Sequence, residues 1–283
     1  MNGNGKKRRF RCVTPVLAVL FSNLMLASNV SADMITLLPS KDNTLIQTTN
    51  PAAQLSNGLG DIFVGRTNQD GQGPATISIR RGLLAFDIAG NIPSGATITS
   101  VSLILRDVMG LNGDHIVGLH RVLQDWGEGT SFQNGGMGAT ATNGDATWLY
   151  RFYNSANPGS SLAWTTAGGD FDPTASAGAL ISDDLGGGQL FTWSSTGNPQ
   201  FLTEVQNMLD DPSSNFGWLL LGDELAGQTA KRLNGGESLA FPNQPPVLVI
   251  EFTVAAVPEP STWLLLTSVA VAVGLVRAKR RTA

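Results

Sequence analysis

The sequence predicts an all-β fold: a jelly-roll-like β-sandwich with one short covering helix, flanked by an N-terminal signal peptide and a C-terminal membrane-segment helix. Three observations carry this expectation. Short segments rich in Val, Ile, Leu, Thr and Phe alternate apolar and polar residues with period two, the mark of strands that bury one face. Glycine and proline, 33 and 14 of the 283 residues, separate those segments into turn-sized intervals. One stretch changes to helical periodicity. The expected organisation is a signal peptide at 1–32, one β domain at 33–256 and a sorting tail at 257–283.

The elements follow in chain order. Lys6, Lys7, Arg8, Arg9 and Arg11 precede an apolar run from Val13 to Ala27, long enough for a signal core and short for a stable span. Val30-Ser31-Ala32 then offers small residues for recognition, so signal peptidase is expected to cut after Ala32; a retained anchor is the competing reading. Strands are expected at 61–66, 115–123, 148–153, 190–193, 217–221 and 229–233. Leu84, Phe86 and Ile88 should face one way, with Arg81 and Asp87 facing the other. Val101, Leu103 and Leu105 alternate with Ser100, Ser102 and Arg106, and Leu248, Ile250 and Phe252 alternate around Glu251. Asn91-Ile92-Pro93-Ser94-Gly95 reads as a turn.

The helix should open with Asn198 as cap and Pro199 in the first turn, bury Phe201, Leu202, Val205, Met208 and Leu209, and stop at Asp210-Asp211-Pro212. It is expected to cover an edge or end of the sandwich. The glycine-rich intervals at 127–144 and 186–188 read as loops, and no repeat of fixed period interrupts a single domain.

At the C-terminal end, Val257-Pro258-Glu259-Pro260 breaks regular structure, since proline lacks a backbone donor and fixes φ. An apolar run from 262 to 276 follows, closed by Arg277, Lys279, Arg280 and Arg281, which would set an outside-to-inside orientation with Trp263 at the outer interface. Tripeptide, apolar segment and basic cluster together resemble the PEP-CTERM sorting signal of Gram-negative bacteria. The resemblance covers 257–283 and implies an exosortase as processing partner and transient anchoring in the membrane. It implies a route, not an activity.

The two tails distort the charge. Nine of the 18 Lys and Arg lie in them but only one of the 22 Asp and Glu, so the middle segment holds nine cations against 21 acids, a net −12. Such a domain repels phosphate backbones, which argues against nucleic acid as a partner. The single cysteine, Cys12, lies in the signal segment, so the domain has no disulfide, thiolate zinc site or cysteine nucleophile and depends on its core.

Within the middle, Arg81-Gly82-Leu83-Leu84-Ala85-Phe86-Asp87-Ile88 and Ile92-Pro93-Ser94-Gly95-Ala96-Thr97-Ile98-Thr99-Ser100-Val101 resemble the core of DNRLRE-type domains. His120-Arg121-Val122-Leu123-Gln124-Asp125-Trp126-Gly127-Glu128-Gly129-Thr130 is similar to a later segment of that family. The likeness runs over roughly 35–254 and implies a β-sandwich on an exported protein, of a kind that includes carbohydrate-binding modules. A charge of −12 fits a neutral glycan, or a calcium-mediated contact, better than an acidic polysaccharide.

Catalytic signals are sparse. His115 and His120, five apart in an expected strand, should point to opposite faces and so cannot share a metal. His120 is expected to make a structural hydrogen bond. No G-x-S-x-G elbow, P-loop or G-x-G-x-x-G is present. Asp125 with Glu128, Asp183 with Asp184, and Asp223 with Glu224 are the local acid pairs a glycosidase could use, although such pairs also occupy solvated turns. Calcium takes hard oxygen ligands from loops, and Asp170 with Asp172, or the loop Asn68-Gln69-Asp70-Gly71, could supply them as a structural site. Sugar binding would need exposed rings. Trp126, Trp148, Tyr150, Tyr153, Trp164 and Trp193 are available, with Trp126 expected in the core and Trp164, in its polar Ser/Thr/Gly setting, expected as the exposed platform.

The expectation is thus a non-enzymatic exported surface or matrix protein that binds extracellular polysaccharide or other surface proteins. A spacer without glycan binding and a polysaccharide hydrolase are the alternatives.

Overall fold

The computed structural model describes residues 31–48, 50, 52–67, 78–110, 112–183 and 187–255. The signal core, the loop at 68–71, Pro258, Glu259 and Pro260, the apolar run after them and the cluster of Arg277, Lys279, Arg280 and Arg281 lie outside the described residues. No helix among the described residues is long and apolar enough to cross a membrane.

The first strands are β1 (Ser31–Leu37), β2 (Lys41–Ile46), β3 (Leu55–Ser56), β4 (Ile62–Arg66) and β5 (Ile79–Ala85). The long β6 (Thr97–Gly110) and β7 (His115–Arg121) follow, then the short β8 (Ala139–Thr140), β9 (Tyr150–Phe152) and β10 (Leu162–Ala163). Next come β11 (Ala177–Ile181), β12 (Leu190–Ser194), the helix α1 (Pro199–Asp210), β13 (Trp218–Leu221), β14 (Lys231–Leu233) and β15 (Val247–Val254). The expected β character holds, with strands and turns broadly where the alternation put them.

The main sheet is antiparallel and runs β1-β15-β6-β14-β4-β5-β13-β7-β11, with β12 beside β6 and β2 beside β5. It curls into a half-barrel, giving a sandwich-like fold. β6 turns the corner. It pairs with β15 and β12 over most of its length and with β14 at its end, where the register shifts between Arg232 and Leu233. A second shift opposite Glu251 and Phe252 explains why Ile98 and Val101, three apart, are both buried. Such bulges add one residue and sharpen the local twist that closes the curl.

The main core fills the concave side. Leu84, Phe86, Leu103, Leu119, Trp193 and Ile250 are all essentially inaccessible. α1 packs on β6, and it buries Phe201, Val205, Met208 and Leu209 as expected, with Glu204 added and Leu202 only partly buried. The Glu204 carboxylate accepts from the Trp218 indole N–H at 3.0 Å, while Phe201 meets the Trp218 ring edge-on at 5.4 Å. Gln206 accepts from Ile98 N at 2.9 Å and donates to Ala96 O, closing the end of β6. The capping expectation needs correcting. Asn198 occupies the cap position, but its side chain donates to Ser194 O at 2.9 Å and accepts from no helix N–H.

A second core lies on the outer face of β2, β5, β13 and β7. The excursion at 122–171 lays Val122, Trp126, Ala146 and Trp164 over Leu45, Leu83, Ala85 and Leu219. Leu83 and Leu84 are both fully buried for this reason: this part of the sheet has a core on each side.

Candidate functional site

The indole expected to stand exposed does not. Trp164 is 5% accessible, and its N–H donates to Thr147 O at 3.0 Å. Its polar neighbours in sequence face water while the ring fills the second core, so it offers no face to a sugar. Trp126, as expected, is buried, donating to Phe216 O at 2.8 Å. Trp193 is buried in the main core, and Trp148 is half-buried beneath the Arg81 guanidinium. Tyr150 and Tyr153 remain half-buried as a tilted pair, 5.8 Å between centroids.

Asp170 and Asp172 organise a turn. Asp170 accepts from Thr165 N, Thr166 N and the Gln124 amide at 2.7 to 2.8 Å, and Asp172 accepts from Thr174 N at 2.8 Å. Neither belongs to the cluster of three acids found elsewhere among the described residues. Of the expected acid pairs, Asp125 and Glu128 take different partners, as do Asp223 and Glu224, while Asp184 of the third pair lies outside the described residues. Asp125 meets Lys41 at 2.6 Å while Glu128 meets Asp42 N, and Glu224 meets Arg81 while Asp223 meets His115. Burial pushes the Asp223 carboxyl up, but N–H donors of Leu225 and Ala226 and the His115 ring outweigh it and hold it below the usual carboxylate range. His120 is 6% exposed, and its Nδ1 must donate to the Asp172 carbonyl at 2.8 Å, the structural bond expected of it.

Two arrangements, at either end of β14, stand out instead. The first is a groove of about 590 Å³ whose lining includes Phe63, Arg66, Met109, Asn112, Gln228 and Arg232. β4 and β14 pair antiparallel, setting Phe63 opposite Arg232, whose guanidinium lies over the ring at 5.7 Å and is fixed from behind by Asp61 and Asn134. Arg66 donates through one nitrogen to Leu225 O at 3.3 Å, whereas its buried Nε and other terminal nitrogen find no partner among the described residues. Asn112 and Gln228 both line the groove in the left-handed region, at φ of 60° and 64°. That conformation is costly for residues with a Cβ, more for Gln than for Asn, and such strain concentrates at binding sites. The groove was missed in the sequence because its walls come from four separated loops and strands.

The second arrangement joins Asp42 on β2, Glu128 in the loop after β7, and Glu237 in the loop after β14; one carboxylate oxygen from each lies within 4.8 Å of the others. Asp42 accepts from Gly236 N at 2.7 Å through Oδ2, and Asp42 N donates to Glu128 Oε1 at 2.8 Å. Burial raises the Asp42 carboxyl well above its ordinary range; the Gly236 N–H opposes this, while Glu237, Glu128 and Asp61 add to it. Burial also raises Glu128, against the Asp42 N–H and Lys41, with Glu237 pushing the same way. Behind them, Asn43 is fully buried, accepting from Ser56 Oγ and Asn57 N and donating to Glu128 O, which locks β2 to the loop that carries Glu128.

No protein-family model matches the chain, and no curated protein is significantly similar to it.

Proposed function

We propose that the chain is an exported surface or extracellular-matrix protein whose jelly-roll-like domain binds carbohydrate and performs no catalysis. The route rests on the sequence: a basic, apolar, small-residue N-terminal segment, and a C-terminal tripeptide, apolar run and basic cluster that resemble the PEP-CTERM signal. Signal peptidase and an exosortase would be its processing partners, with the apolar tail as a transient membrane helix. The observation that carries the binding reading is the groove between β4 and β14. It combines apolar surface from Phe63 and Met109 with the donors of Arg66, Asn112, Gln228 and Arg232. A pyranose presents the same mixture, an apolar face rimmed by hydroxyls, and binding sites for small ligands have this composition.

The burial of Trp164 favours a second reading, a structural surface or matrix protein that binds no glycan, because the platform expected from sequence is spent on the core. One experiment separates the two. The purified chain is passed over immobilised neutral and uronate polysaccharides beside the double variant Asn112→Gly/Gln228→Gly. Glycine accepts the left-handed backbone, so this variant loses two amides without strain. The binding reading expects retention of the wild type and at least a tenfold weaker interaction, about 1.4 kcal/mol, for a variant that melts no lower. Retention of the wild type on no polymer supports the structural reading instead. Release of reducing ends would contradict both.

A further inference from the structure

We propose that Asp42, Glu128 and Glu237 form a divalent-cation site of the calcium class, independent of the glycan groove. The three oxygens lie within 4.8 Å of one another, a spread that calcium's ligand distances of about 2.3–2.6 Å can span from one centre. Every donor in the set is a carboxylate oxygen, with neither imidazole nor thiolate, which selects a hard cation.

Proximity of acids alone would prove nothing; Asp42 supplies the second observation. Its side chain is 1% accessible, and Oδ1 has no hydrogen-bond partner among the described residues. An anionic oxygen buried without a donor is costly, and a bound cation would satisfy it. No nearby side-chain cation does so. Lys41 is engaged by Asp125 Oδ1 and Trp126 O, both at 2.6 Å, and Arg232 is held on Asp61 and Asn134. The loop after β14 is shaped to this carboxylate. A Cβ on Gly236 would lie 2.9 Å from Oδ2, and one on Gly235, blocked first by Gly60 O at 2.1 Å, would lie 3.1 Å from Oδ1. Glu128 gives one oxygen to Asp42 N and keeps the other to offer, while exposed Glu237 leaves an open side for entry and for water ligands.

The site would clip together three segments far apart in the chain, the start of β2 and the loops after β7 and β14. In a domain without a disulfide, that is a cross-link the fold otherwise lacks. Its effect would follow mass action: a ligand bound to the folded form alone stabilises it increasingly with concentration.

The test uses the full chain in mild detergent, stripped with EDTA, with calcium chloride as the probe. Calorimetric titration should give a saturable heat at one site, and the melting temperature should rise with calcium concentration and return on chelation. Glu237→Gln alters an exposed residue and leaves the fold intact, yet should weaken calcium binding at least tenfold. Asp42→Asn relieves repulsion, so it should melt no lower than the stripped wild type while losing the calcium response. The proposal fails if the folded wild type shows neither heat nor shift. It also fails if both variants respond as the wild type does, which would place any bound calcium elsewhere. Loss of polysaccharide retention by the groove variant with calcium binding intact would separate this site from the groove.

Discussion

Arg81 shows what a single side chain does when the face it points to is itself a core. Its Nε and one terminal nitrogen grip both oxygens of Glu224 at 2.7 and 3.0 Å, the third nitrogen donates to Gly168 O at 2.8 Å, and the plane stacks on Trp148 at 4.8 Å and Phe171 at 5.3 Å. Lysine has no planar fork and would keep the charge while losing the two-point grip and the stack. Arg81→Lys should therefore destabilise the domain by about 1–3 kcal/mol, the scale of a charged hydrogen bond lost in a partly buried setting, read as a lowered melting temperature. Alternation in the sequence correctly turned Arg81 away from Leu84 and Phe86. It could not reveal that a second layer waits on that side, because that layer comes from a loop excursion with little strand pattern of its own. Trp164 was misread for the same reason, its polar neighbours signalling surface while the ring turned inward. Asp42 gave no local sign at all: its partners, Glu128 and Glu237, are brought to it by tertiary packing, and β2 carries the polar run Lys41-Asp42-Asn43-Thr44 instead of an apolar alternation.

At the scale of elements, helix and sheet differed in how much they declared. α1 was legible from end to end, since a proline in its first turn, an apolar stripe and an Asp-Asp-Pro stop are all local signals. β11 was not, for Ala177-Gly178-Ala179-Leu180-Ile181 alternates in burial but is built mostly from residues of low strand propensity. The entry to β13 depends on Gly217, at φ 74°, where an added Cβ would lie 2.0 Å from Leu84 O. Phe216 and Gly217 also present the carbonyls that Trp126 and Val122 N–H groups use, so this turn ties the two cores together. Gly217→Ala adds both the left-handed penalty and a backbone clash, and should cost at least about 2 kcal/mol. Chemical denaturation should show the loss as a lower midpoint with the slope unchanged if the altered protein keeps the same fold.

For the whole molecule, the decisive relation is the one between β1 and β15. Ser31 pairs with Val254 and Leu37 with Leu248, so the chain enters and leaves the sheet at one corner. The cut expected after Ala32 falls inside β1. It would remove two paired residues and leave Asp33 opposite Phe252, with the rest of the strand intact. β15 is the last strand among the described residues, so Ser31 and Ala32 lack their β15 partners until nearly the whole domain has emerged. Processing at this peptide bond is therefore expected before the final strand docks, and slowly if at all once it has. On the proposed export route, the processed chain should carry Asp33 as its first residue by mass spectrometry, while refolded uncleaved chain should resist signal peptidase at Ala32; a refolded chain cut as fast as an unfolded one would refute the ordering. The same geometry sets how far trimming can go. A chain beginning at Asp33 keeps β15 covered, whereas one beginning at Leu38 bares its backbone donors and acceptors along the side that β1 occupied. The shorter chain is expected to melt lower and to aggregate in proportion to its concentration, because an open edge next to the buried Leu248 and Ile250 is a template for a second copy.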